Sequence, residues 1–74
     1  MKRLEVVIMN WDQIHGNWIR YKGKAHEQWG KLTDDDLERI KGKEEQLIGR
    51  IQERYGIAKE EAQRQVEEWM RRLH

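Results

Sequence analysis

Placed at about 100° per residue, the apolar positions of the first third of the chain collect on one side of a helix. Trp11, Ile14, Trp18, Tyr21, Ala25 and Trp29 share that side, with charged and amide side chains between them. Asn10 suits the N-cap, and Asp12 in the first turn meets the positive end of the helix dipole. Gly30 is read as the stop. A second stripe runs through Leu37, Ile40, Leu47, Ile51 and Tyr55 and closes at Gly56. A third takes Ala62, Val66, Trp69, Met70 and Leu73, with Arg71, Arg72 and His74 suited to a helix C-terminus. The pattern predicts a long helix over 11–29, a short one over 34–41, and two more over 43–55 and 59–72. Gly42 either breaks or bends the second stretch. Loops this short favour an all-α fold of two helical hairpins packed across one another.

The pattern also repeats. A shift of 26 residues carries Ile14 onto Ile40, Gly16 onto Gly42, Gly23 onto Gly49, Glu27 onto Glu53 and Gly30 onto Gly56. The closing octets Gly23–Gly30 and Gly49–Gly56 both read G-[KR]-x-x-E-[QR]-[WY]-G. After the first closing glycine, Leu32-Thr33-Asp34-Asp35-Asp36 has the form of a capped acidic turn, Thr33 as N-cap and Asp36 at the third helical position. Ile57-Ala58-Lys59-Glu60-Glu61 is the poorer second version, acidic but without a good capping side chain.

Four helix-interior glycines stand out. On the same helical projection Gly16, Gly23, Gly42 and Gly49 lie roughly opposite their apolar stripes, on the face expected to meet water. Each costs up to ~1 kcal/mol relative to alanine. A core of this size rarely leaves more than ~3–5 kcal/mol of net stability, so the four together nearly cancel it. Either a helix or a partner approaches the backbone there, or the fold is held marginal, or the glycines are drift in a tolerant small protein.

Composition narrows the function. The 74 residues carry fifteen Lys and Arg against fourteen Asp and Glu, a formal charge of +1, and mean hydropathy is −1.15. There is no cysteine, which removes disulfides, thiolate metal sites and cysteine nucleophiles. There is no serine either, and Thr33 is the only aliphatic hydroxyl, so a serine hydrolase is excluded. No apolar run approaches the ~18–20 residues of a membrane span, so membrane insertion is not expected. Met1-Lys2-Arg3 followed by Val6-Val7-Ile8-Met9 is too short for a signal peptide's apolar region of ~7–15 residues, and the expected compartment is the cytoplasm. Val6-Val7 has no strand to pair with. Residues 1–8 are therefore read as a loosely held extension and residues 9–74 as the domain, with Met1 and Met9 both open as the start.

No catalytic, cofactor or metal site emerges. His15 and His26 lie eleven residues apart, too far along one helix to chelate an ion, and His74 stands alone. Asp34-Asp35-Asp36 lacks the alternating ligands and central glycine of a calcium loop. The four tryptophans and two tyrosines fall on the apolar stripes, so they read as core and not as base-stacking platforms. Basic residues are interspersed with acidic ones, and carboxylates open the helices after Gly30 and Gly56, where phosphate would otherwise sit. Nucleic acid is disfavoured as a partner. An unidentified macromolecular partner and a monomer or weak homo-oligomer fit the composition.

Met9-Asn10-Trp11-Asp12, Gly16-Asn17-Trp18, Gly23-Lys24, the block Glu27–Asp36, Gly42-Lys43 and Gln52-Glu53-Arg54-Tyr55-Gly56 resemble the CsbD-like family of small bacterial stress-response proteins. The likeness covers about residues 9–70. It implies a cytoplasmic all-α domain, a SAM-domain-like bundle of about four helices in two orthogonal α-hairpins, made under general stress and with no assigned catalytic residue. The expected function is that of a non-enzymatic, hydrophilic, marginally stable protectant. The alternatives are an adaptor that docks a partner through the glycine-bearing faces and a weak nucleic-acid-associated protein.

Overall fold

The computed structural model describes residues 11–73, and all regular structure among them is helical. The order is α1 (Trp11–Gly16), α2 (Trp18–Gln28), α3 (Asp34–Ile40), α4 (Glu44–Tyr55) and α5 (Lys59–Arg72). The expected extension over residues 1–8, the start at Met9, the Asn10 cap and His74 lie outside the described residues.

The all-α expectation holds, with five helices because the first stretch is divided. At Asn17 the backbone leaves helical geometry (φ −122°, ψ 34°). Its N–H is shared between the Gln13 and Ile14 carbonyls at 3.1 and 3.2 Å. Its side-chain amide also donates to Gln13 O at 3.0 Å, the kind of local competition that makes asparagine a poor helix-interior residue. The break keeps Ile14 and Trp18 both buried.

Gly42 breaks the second stretch outright. Lys41 caps α3 in the left-handed region at φ 52°, and Gly42 follows at φ 76°. The helix-interior reading of Gly42 is therefore corrected: it is a turn residue. Gly56 ends α4 as read from sequence, at φ 64° with its N–H on Gln52 O at 2.9 Å. α2 ends with Trp29 as its C-cap and Gly30 directly after it, as read from sequence, though Gly30 lacks the left-handed φ of Gly42 and Gly56. Trp29 is 2% exposed. Trp29 Nε1 donates to Gln65 Oε1 at 3.0 Å, and the ring meets Trp69 edge-on at 5.3 Å.

The α3 start follows the sequence. Thr33 Oγ1 accepts from the Asp36 N–H at 3.0 Å while Asp36 Oδ2 accepts from the Thr33 N–H at 2.9 Å, a reciprocal capping box. Ala58 at the head of α5 supplies no side-chain cap.

The predicted stripes converge. Ile14, Ala25, Ile40, Leu47, Ile51, Ala62 and Val66 are fully buried, joined by Leu32 and Ile48 from outside the stripes. Trp18 Nε1 donates to Leu37 O at 2.7 Å and Lys22 pairs with Glu38 at 2.6 Å, tying α2 to α3. Trp11 lies 6.5 Å from Trp69, tying α1 to α5. The 26-residue repeat is thus structural. Each copy is a short helix, a break and a longer helix, α1–α2 and then α3–α4; α5 is the unrepeated piece that closes the core.

Candidate functional site

The two repeat breaks meet in a close contact. His15 and Lys41, equivalent under the 26-residue shift, are joined directly: His15 Nδ1 donates to Lys41 O at 2.6 Å. A carbonyl can only accept, so Nδ1 carries the proton. Gly42 lies against the backbone of α1. A Cβ built on it would stand 2.7 Å from His15 Cα and 3.0 Å from Ile14 O. This close approach fixes how α1 docks across the α3–α4 turn.

Beside the crossing runs a shallow groove lined by Trp11, Asp12, His15, Lys43, Glu44 and Glu45. Asp12, Glu44 and Glu45 share that lining with His15, one of whose ring nitrogens is committed to Lys41. Among the described residues no three His, Asp or Glu side chains are placed to hold a metal ion. His26 is exposed on α2, far along the chain from His15, and the two are not brought together. Asp34 and Asp35 are exposed, Asp35 pairing with Arg39 at 2.8 Å.

Asp36 is different from its neighbours. Its side chain is 1% exposed, and Arg54 grips it with two hydrogen bonds, Nε to Oδ2 at 2.7 Å and Nη2 to Oδ1 at 2.9 Å. Arg50 approaches at 3.5 Å. The Arg54 guanidinium first, then the Thr33 hydrogen bonds, hold the carboxyl well below its usual range against the opposing effect of burial. Sequence reasoning found the cap and missed the arginines. Nothing in an 18-residue separation marks Asp36 and Arg54 as partners; only the α3–α4 turn brings them together. The role is structural, pinning the start of α3 to the end of α4.

The glycines divide by environment. Around Gly16, Gly23 and Gly49 an added Cβ would meet nothing within 4 Å, so these three face water as expected. Ile19, between Gly16 and Gly23, is a large hydrophobic side chain left 87% exposed.

The CsbD-like sequence profile matches residues 12–64, most of the chain. The chain belongs to the CsbD-like family. It is 66% identical over 61 residues to a UPF0337 protein of Pectobacterium atrosepticum, covering 82% of this chain and 88% of that one. It is 57% identical over 61 residues to the UPF0337 protein YjbJ of Escherichia coli K12, with the same shares covered. It is 49% identical over 65 residues to a UPF0337 protein of Rhodopseudomonas palustris, covering 88% of this chain and 98% of that protein. CsbD-like proteins are generally related to stress responses and are not known as enzymes. In this CsbD-like chain no helix among the described residues is long and apolar enough to cross a membrane.

Proposed function

We propose that this chain is a non-enzymatic, cytoplasmic stress-response protein whose fold is kept soft so that it protects other macromolecules as conditions change. The observation that carries the reading is the set of three open glycines. Gly23 and Gly49 lie inside α2 and α4, and Gly16, read from sequence as helix-interior, is the last residue of α1; none of the three has anything near the missing methyl group. Packing does not require them, yet each forgoes up to ~1 kcal/mol of helix stability. A core of this size rarely leaves more than about 3–5 kcal/mol of net stability, so that is a large share. On this reading the domain spans residues 9–74 and carries no catalytic residue.

The test is the triple variant G16A/G23A/G49A in cells from which the natural protein has been deleted. The variant is expected to be more stable and to protect less under osmotic or desiccation stress. A stabilised variant that protects as well as the natural chain would overturn the reading. The exposed Ile19 between Gly16 and Gly23 favours a second reading, an adaptor docking a partner on that face. Crosslinking in stressed cells separates the two: one partner recovered in fixed ratio, and lost with Ile19→Lys, supports the adaptor.

A further inference from the structure

The net charge conceals a local segregation at the α3–α4 turn. A small concave surface there is lined by Arg39, Lys41, Lys43, Gln46 and Arg50, four cations and an amide with no carboxylate among them. The carboxylates nearest in sequence are directed elsewhere. Glu38 is held by Lys22 on α2, and Glu44 and Glu45 line the groove on the α1 side of the turn. Arg50 stands 3.5 Å from the buried Asp36 and stays partly committed to it; Arg39 and Arg50 each also keep an exposed carboxylate neighbour, Asp35 at 2.8 Å and Glu53 at 3.2 Å. Exposed pairs of this kind are worth only about 0–1 kcal/mol, so a stronger anion can displace them. Lys41 and Lys43 are exposed and have no ion pair among the described residues.

The turn is also held in place. Lys41 sits at φ 52°, where glycine or asparagine would be less strained. Its carbonyl is bound by His15, and Gly42 is pressed on the α1 backbone. The two lysines therefore project from a fixed support, which lowers the ordering cost of engaging a ligand.

We propose that this tip is a binding surface for the phosphate backbone of duplex nucleic acid, reading charge and not sequence. The choice of duplex follows from the aromatic residues. None of the six is exposed and none lines the cationic surface; the half-buried Trp11 meets Lys43 only in the groove on the α1 side, beside Glu44 and Glu45, so a ligand with its bases hidden and its phosphates outward fits best. The proposal is independent of the protectant reading, since it concerns binding in vitro and not stability.

The experiment is fluorescence anisotropy with a labelled DNA duplex of about two helical turns, titrated at several salt concentrations from low to physiological. Contacts to three or four phosphates give a log-log salt slope of about −3 to −4, with binding largely lost at physiological salt. The variant K41N/K43Q, which retains a residue suited to the left-handed position, is expected to bind at least about tenfold more weakly at low salt and to lose about 2 from the slope. K24Q/K59Q removes the same charge elsewhere and is expected to bind like the natural chain. Should K41N/K43Q fail to fold by circular dichroism, R39Q supplies the same reading, with about 1 lost from the slope. The proposal is overturned if the natural chain does not bind at low salt, if the two double variants lose equally, or if the slope is unchanged. Tighter binding to vesicles of equal phosphatidylglycerol and phosphatidylcholine than to DNA would overturn it as well.

Discussion

At the scale of single residues, the glycines show how one residue type serves opposite ends in one small fold. Gly42→Ala forces a methyl group to within 2.7 Å of the His15 backbone and places alanine at φ 76°. Urea titration is expected to show a loss of about 2–3 kcal/mol. Gly16→Ala, Gly23→Ala and Gly49→Ala meet open space, and each is expected to gain up to about 1 kcal/mol by the same measurement. A uniform replacement of all four would blur these signs. The helical projection treated them alike because periodicity reports a direction around an axis; it is blind to a second segment crossing at that point. Gly42 departs from its three companions in its left-handed backbone at φ 76° and in its contact with the Ile14–His15 backbone, His15 being 27 positions away in sequence.

Between elements, the Asp36–Arg54 pair joins the first turn of α3 to the last of α4. Arg54 is 41% exposed, so solvent weakens the pair relative to a fully buried one. Asp36→Asn is expected to cost about 2 kcal/mol near neutral pH, measured by denaturant titration. The pH dependence has a definite sign. The folded-state pKa of Asp36 is lowered, chiefly by Arg54, so its contribution is complete above the unfolded carboxyl value near ~3.9 and fades as pH falls toward the folded value. The stability gap between the natural chain and Asp36→Asn should therefore narrow below about pH 4. A constant gap down to pH 2 would mean that the aspartate acts through shape and not charge. The capping box was legible in Thr33 and Asp36 because a cap is local, confined to four consecutive residues. The arginine grip was not, being set by how two helices fold back. The division of the first helix was hidden for a related reason: Asn17 breaks α1 from α2 without disturbing the apolar spacing of Ile14 and Trp18.

Across the whole molecule, the core is assembled from side chains whose positions the apolar spacing already marked, with Leu32 and Ile48 as additions. Both additions lie off the wheel, Leu32 in a turn and Ile48 one position beyond Leu47. Periodicity finds the central stripe of a buried face better than its margin. On the reading of residues 1–8 as a loosely held extension, deleting them is expected to leave helix content and melting temperature nearly unchanged, as read by circular dichroism. A fall of more than a few degrees would place those residues in the packed domain.

Three indoles from distant parts of the chain stand together, Trp11 at 6.5 Å and Trp29 at 5.3 Å from Trp69. Their planes are inclined at 39° and 62°, an arrangement in which neighbouring excited states couple and rotate polarised light strongly. The protein thus carries its own optical gauge. The tryptophan couplet depends on α1, the end of α2 and α5 being in register, whereas the peptide bands report only that helices exist. A core that slackens while its helices persist would dim the first signal before the second, with no label attached and inside an otherwise unaltered chain.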